Sequence, residues 1–264
     1  MAPHLGGLTV AANGDAADWV RSVRAGSGEA RRLVCFPHAG GGASFYRPFA
    51  DGFPPDVDVR VVQYPGRETR AGEPLVGDMG TLADRTAEAV APLVDRPTAF
   101  FGHSMGASVA YEVVRRLEAA GSRRPDLLFL SARQAPGGRR ESRAHELGDE
   151  GFAAVLRTTG GTPSLLLDNP EMRDYLLPII RNDYRLIETY RPAPGPRLRT
   201  GIVAIAAEAD ATVAPAEVDG WGAATSGGFA RADFPGDHFY LLEQAPKLVA
   251  AILGHLRWDS SFGT

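Results

Sequence analysis

A single cysteine, Cys35, stands among 264 residues. Internal disulfides are thereby excluded, and a reducing compartment is expected. Cys35 sits inside the apolar run Arg31-Arg32-Leu33-Val34-Cys35-Phe36, which marks it as a buried spectator rather than a nucleophile. Long hydrophobic runs are missing as well: none approaches the roughly 20 residues that cross a bilayer, so no membrane association is expected. Residues 1–15 carry no basic segment followed by an apolar one, so no secretory leader is expected and a cytoplasmic location is. Nor is positive charge in excess. The 28 Lys and Arg against 32 Asp and Glu give a net charge of −4, which argues against a nucleic-acid partner. Internal repeats and low-complexity tracts are absent. Histidines and carboxylates show no metal-ligand spacing, so no metal is expected. The glycine run Gly40-Gly41-Gly42 is not followed by Gly-Lys-Ser/Thr, which makes a phosphate loop a poor reading of it.

What is present is enough apolar material, 44% of residues, for one large α/β domain spanning 1–264. Its organising stretch is Phe100-Phe101-Gly102-His103-Ser104-Met105-Gly106-Ala107. A β-prone run (97–101) enters it and a helix-forming run (107–120) leaves it, with G-x-S-x-G between. A chain that turns from strand to helix so abruptly holds its central serine at strained backbone angles and lifts the hydroxyl clear of the sheet. Any side chain at Gly102 or Gly106 would strike the neighbouring strand or helix. The turn also aims the Met105 N–H, at the helix start, toward a developing oxyanion. This is the nucleophile elbow of α/β-hydrolases.

The remaining periodicity fits that scaffold. Strands are expected at 32–36, 57–64, 126–132, 201–207 and 229–234, and helices at 79–94, 215–224 and 240–256, with a short helix at Asp18-Trp19-Val20. Alternating strands and helices predict a mostly parallel central sheet with helices on both faces. From Arg133 to Arg191 only helical patterns occur (150–158, 171–177, 179–190), which reads as a helical cap inserted at about 133–195 over the active site. Most of its apolar surplus (Leu165, Leu166, Leu167, Tyr175, Leu176, Leu177) is expected to pack the cap itself, with the wall of an acyl pocket as the alternative.

A serine hydroxyl needs a base within hydrogen-bond reach, and the base needs an orienting acid. On this scaffold the chain order is serine, acid, histidine. Of six histidines, His4 lies in the N-terminal arm, His38 precedes the serine, His103 is inside the elbow, His145 lies in the cap and His255 within the last helix. His238 alone follows the final strand in a Gly-containing loop. For the acid, Asp210 follows the 201–207 strand, with Glu208 and Asp237 as rivals. The loop after the first strand supplies a second oxyanion donor, for which the Ala39 N–H is the candidate beside that of Met105.

Several motifs in order resemble one family along nearly the whole chain: Phe36-Pro37-His38-Ala39-Gly40-Gly41, Tyr64-Pro65-Gly66-Arg67, Gly102-His103-Ser104-Met105-Gly106-Ala107, Gly160-Gly161-Thr162-Pro163, Arg181-Asn182-Asp183-Tyr184, Glu188-Thr189-Tyr190 and Phe234-Pro235-Gly236-Asp237-His238-Phe239. The chain resembles the type II thioesterases, stand-alone editing hydrolases that accompany polyketide synthases and nonribosomal peptide synthetases. The resemblance implies an α/β-hydrolase fold and a Ser104–Asp210–His238 triad. It also implies oxyanion donors at Ala39 and Met105 and no cofactor beyond the phosphopantetheine that carries the substrate. Its expected partners are acyl and peptidyl carrier proteins, and a monomer is expected. A product-releasing thioesterase or a small-molecule carboxylesterase would use the same triad, and a catalytically silent binding protein is the alternative from another class. The sequence departs from the family at Asp237, where glycine is frequent, and at Ala207-Glu208-Ala209.

Overall fold

The computed structural model describes residues 18–27, 31–138 and 142–256; the expected N-terminal arm (1–15) with His4 lies outside them, as does Arg139-Arg140. Seven strands form one sheet in the order β1-β3-β2-β4-β5-β6-β7. They are β1 (Val20–Arg24), β2 (Arg31–Phe36), β3 (Val57–Val62), β4 (Thr98–His103), β5 (Leu127–Ser131), β6 (Gly201–Ala207) and β7 (Phe229–Phe234). All neighbours run parallel except the edge pair β1 and β3. Central strands β4 and β6 are buried along their whole length, which is why they read as continuous apolar runs.

Helices cover both faces. On one lie α2 (Met79–Val90) and α3 (Met105–Ala119), whose Leu82, Val109, Val113 and Leu117 pack on Val34, Phe100 and Leu128 of the sheet; α1 is the short Arg47–Asp51. On the other face Phe49 of α1 packs with Leu33, Phe101, Val203 and Ile205 and with Leu248 and Ile252 of a C-terminal helix. Between β5 and β6 come α4 (Asp149–Thr159), α5 (Ser164–Asp168) and α6 (Pro170–Thr189), with α7 (Ala245–Leu256) closing the fold. Ala144, Phe152, Leu156, Leu167, Leu177 and Ile180 make a separate small core within this inserted cap.

Four expectations need correction. Val20–Arg24 is an antiparallel edge strand, not part of a helix; every residue in it is at least partly exposed, so it lacks the apolar run of its neighbours. The two cap helices expected on either side of Pro178 are a single helix, α6. Pro178 and Asp174, one turn earlier, are both exposed, so water can satisfy the carbonyl that proline cannot serve. Pro215–Ala224 is 3-10 rather than α-helical, and the last helix is broken into a 3-10 turn (Tyr240–Leu242) and α7. The five-residue α5 is too short to show a period in the sequence.

Candidate active site

At the carboxyl edge of the sheet, β4 ends at His103 and α3 begins at Met105, which leaves Ser104 alone to make the turn. It does so at φ 54° and ψ −118°, outside the regions an L-residue normally occupies. The Ser104 N–H donates to the Ser131 carbonyl (2.9 Å), which ties the elbow to β5. The flanking glycines are dictated by contact. A Cβ at Gly106 would lie 1.9 Å from the Phe36 carbonyl oxygen, and one at Gly102 would lie 2.4 Å from that of Gly106.

The structure brings Ser104, His238 and Asp210 together from three loops. The Ser104 hydroxyl lies 2.9 Å from His238 Nε2, and His238 Nδ1 lies 2.7 Å from Asp210 Oδ2. An ionised carboxylate only accepts, so Nδ1 carries the proton and Nε2 is left to accept from the serine. The other oxygen, Asp210 Oδ1, accepts from the Thr212 N–H (2.7 Å), the Thr212 hydroxyl (2.6 Å) and the Val213 N–H (3.1 Å). Burial alone would raise the carboxyl's pKa, but the bond to His238, that ring's charge and the Thr212 donors together hold it below the usual range. Thr212 Oγ1 also sits 2.7 Å from His238 Nδ1 and so braces both partners. Sequence reasoning missed this threonine, although its place two residues after the acid is the Asx-turn spacing that could have flagged it. The rival acids do other work: Glu208 is exposed, and Asp237 Oδ1 accepts the Phe239 N–H (2.8 Å).

Two further imidazoles lie beside the relay. His103 is buried with its ring centroid 5.3 Å from that of His238, and its Nδ1 meets Ser131 Oγ (2.9 Å). His38 is buried against Phe45 and Phe239. Burial, followed by the proximity of His238 and Arg67, pushes His38 down to about 3, and burial does the same in direction to His103. Both rings are therefore neutral at physiological pH and put no cation beside the imidazolium that a serine relay forms. They also set the acid stability. Between the ordinary histidine value near 6.5 and the depressed folded value, the unfolded chain binds a proton that the folded chain does not. Stability then falls as pH is lowered, by about 1.4 kcal/mol per pH unit for His38, and His103 acts in the same direction. From pH 6.5 to 4.5 His38 is expected to remove about 2 kcal/mol. Urea midpoints measured across that range test this, and His38→Gln should make the slope shallower by that amount; an unchanged slope would show that His38 titrates normally.

A cavity of about 130 Å³ opens over Ser104, walled by His38, Ala39, Met105 and Phe239 from the hydrolase body and by Val155, Leu156, Ile180, Tyr184 and Ile187 from the cap. Of the cap's apolar surplus, Leu167 and Leu177 are buried in the cap core, while Leu165 (79% exposed) and Tyr175 (45% exposed) face outward. The cap wall is thus made by residues outside that surplus, and Leu156 and Ile180 serve both the cap core and the cavity. A larger cavity of about 600 Å³ adjoins the first and shares Arg133, Gln134, Ser142, Ile187 and Glu188 with it. Cys35 lies in β2 with its side chain buried and its thiol pKa raised by that burial, remote from nucleophilic use. Among the described residues no group of three His, Cys, Asp or Glu is placed to hold a metal ion, and no helix is long and apolar enough to cross a membrane.

Comparison with known proteins places this geometry. The family model for the thioesterase domain matches residues 31–256. The chain belongs to the thioesterase family. This thioesterase is 43% identical over 248 residues to a probable cadicidin biosynthesis thioesterase of Streptomyces griseus, a match covering 94% of this chain and 68% of the relative. It is 38% identical to thioesterase PikA5 of Streptomyces venezuelae, covering 92% and 87% of the two chains. Among solved structures it superposes on the type II thioesterase BorB from the borrelidin biosynthetic cluster with a TM-score of 0.83 at 42% identity, covering 91% of this chain and 98% of the other. The α/β-hydrolase fold and the thioester-hydrolase activity expected from the sequence are those of the family.

Proposed function

We propose that this thioesterase removes aberrant acyl groups from the phosphopantetheine arm of acyl or peptidyl carrier proteins during polyketide or nonribosomal peptide synthesis, with Ser104 as nucleophile, His238 as base and Asp210 as its orienting acid. The observation that carries this reading is the continuous relay from Asp210 Oδ2 through His238 to Ser104 Oγ, with every link at 2.7–2.9 Å and the serine facing a small apolar cavity. The biosynthetic context rests on the relatives, one named for cadicidin biosynthesis and one a type II thioesterase from the borrelidin biosynthetic cluster.

Each step follows from the chemistry of these groups. Ser104 Oγ attacks the thioester carbonyl carbon while His238 Nε2 takes its proton. The carbonyl oxygen becomes an oxyanion that accepts from the N–H groups of Met105 and Ala39, the first of which opens α3 and adds the positive end of its dipole. Ala39 lines the cavity, and of the amides after it that of Gly40 is taken by Asp183, that of Gly41 by the His38 carbonyl and that of Ala43 by Gln63, which supports Ala39 as the donor. The tetrahedral adduct collapses and expels the pantetheine sulfur, which takes the proton from His238; a thiol with a pKa near 8.5 asks little of that acid. Water then gives a proton to His238 and attacks the acyl carbon, and Ser104 leaves with that proton. All proton transfers run through His238, so the reaction calls for no cofactor, and one chain supplies every group. The 130 Å³ cavity suits a short acyl chain, and the adjoining 600 Å³ cavity offers the pantetheine arm its route.

The test compares a short-acyl phosphopantetheinyl carrier protein with p-nitrophenyl acetate as substrates. We expect kcat/KM to be about 100-fold higher on the carrier, because remote binding energy from the arm and protein is realised only there, and Ser104→Ala to abolish both reactions. A reversed ratio would make the protein a carboxylesterase, and no serine-dependent turnover of either would make it a binding protein.

A further inference from the structure

Behind the turn that carries Ala39 lies a buried ion pair to which no role has yet been given. Asp183, on the cap helix α6, is 1% exposed, and Arg67, from the loop after β3, is 5% exposed. The guanidinium grips the carboxylate with two bonds, Nη1 to Oδ2 at 2.6 Å and Nη2 to Oδ1 at 3.0 Å. Asp183 Oδ2 accepts a third bond, from the Gly40 N–H at 2.8 Å. Arg67 Nη1 reaches the Gly41 carbonyl at 3.4 Å. The two side chains thus hold the Ala39–Gly40 and Gly41–Gly42 peptide groups, one on each side of the turn.

That grip bears on the oxyanion site. The Gly40 N–H shares a rigid plane with the Ala39 carbonyl, so holding it fixes the peptide plane on one side of the Ala39 Cα, while the Ala39 N–H lies in the plane on the other side, with the His38 carbonyl. The turn is closed on its other side by the Gly41 N–H on the His38 carbonyl (3.0 Å). Gly40 itself stands at φ 76°, and a Cβ there would lie 2.6 Å from Ile180 Cγ1, so α6 packs directly on the turn. We infer that Asp183, held by Arg67, is a positioning residue that sets the direction of the Ala39 N–H, so that the cap helix supplies part of the support for the oxyanion site in the body below it. A carboxylate suits this task better than an amide: it accepts from the backbone N–H and both guanidinium nitrogens at once, whereas asparagine would turn an NH₂ group toward one of these donors. This inference rests on the proposed triad chemistry and deepens it.

A buried pair that served only the fold would change stability and leave the transition state alone. The discriminating experiment therefore uses Asp183→Asn and three readouts on the carrier-linked thioester: the split between kcat and KM, the affinity for a trifluoromethyl ketone that forms a tetrahedral oxyanion on serine, and the affinity for a non-hydrolysable acyl-aminopantetheine amide that does not. We expect kcat to fall about 30-fold, below the 100- to 1,000-fold cost of losing a donor outright. The ketone affinity should fall by the same factor, with KM and amide affinity within about threefold of wild type. Arg67→Lys, which keeps the charge but loses the fork, should show the same pattern at about 10-fold; it decides the matter if Asp183→Asn does not fold. A folded variant that keeps kcat within threefold, or loses ketone and amide affinity together, would overturn the inference. Absence of serine-dependent hydrolysis in the wild type would instead overturn the proposed function.

Discussion

Replacing His238 by alanine is expected to lower kcat for thioester hydrolysis by about 10,000-fold, with KM changed no more than a few-fold. The loss arises because Ser104 Oγ has one base within reach, at 2.9 Å, and a serine hydroxyl is a poor nucleophile without one. The neighbouring imidazoles are poor substitutes. His103 gives its Nδ1 to Ser131, and both it and His38 resist taking a proton because they are buried beside His238. Asp210→Asn should cost about 1,000-fold, since an amide in place of the carboxylate no longer enforces the tautomer that leaves Nε2 open to the serine. Thr212 would remain beside Nδ1 and retain some of the ring's orientation. Combining either change with Ser104→Ala should add almost nothing, as groups that act as a unit are not additive. Burst and steady-state kinetics on a carrier-linked thioester measure all three. More than a tenth of wild-type activity in His238→Ala would locate the base elsewhere.

Gly106→Ala is expected to be more damaging to the fold than any change in the triad, with a loss above about 4 kcal/mol and insoluble expression as the practical result. The added methyl would lie 1.9 Å from the Phe36 oxygen, 2.5 Å from the Phe36 carbonyl carbon and 2.6 Å from the Pro37 oxygen. All three are main-chain atoms of β2 and the turn that carries the oxyanion donor. They cannot yield as a flexible side chain would: Phe36 is in register with Gly102 of β4, so moving it opens the centre of the sheet. Gly254→Ala, in the last turn of α7 with nothing within 4 Å of the new methyl, is the matched control and should be neutral or stabilise by up to about 1 kcal/mol. Urea unfolding of the two variants side by side gives the comparison. Gly106→Ala within 1 kcal/mol of wild type would falsify the reading of the elbow as a point of backbone contact.

The two halves of the molecule differ in how much of them could be read from residues alone. Parallel strands buried on both faces announce themselves as apolar runs, so β2, β4, β5 and β6 are found where the sequence places them. Edge strand β1 does not, because one side of it meets solvent and its residues satisfy no period strongly. Pro178 looked like a boundary because proline cannot donate in a helix, yet the cost is small where the carbonyl it abandons faces water. In the cap, Leu165 and Leu167 are alike in composition and opposite in fate, the first exposed and the second buried. Only the packing of α5 on α6, which buries one side of α5, separates them.

Chain order and residue type by themselves singled out Ser104, His238 and Asp210 as candidates: a G-x-S-x-G between strand and helix, a histidine in the loop after the last strand, and an aspartate in the loop after the strand before it. Those assignments survive without coordinates because the scaffold constrains which loops share an edge. Tertiary structure alone decided what holds them. The bond from Thr212 to His238, the neutral His38 and His103 beside His238, and Asp183 on the Gly40 amide are contacts between segments whose spacing follows no sequence period. Asp183 lies 143 positions from Gly40, and no local rule joins an aspartate in a cap helix to an amide in a turn. They meet because α6 packs over the carboxyl edge of the sheet, where burial makes an unpaired carboxylate or guanidinium too costly to leave alone.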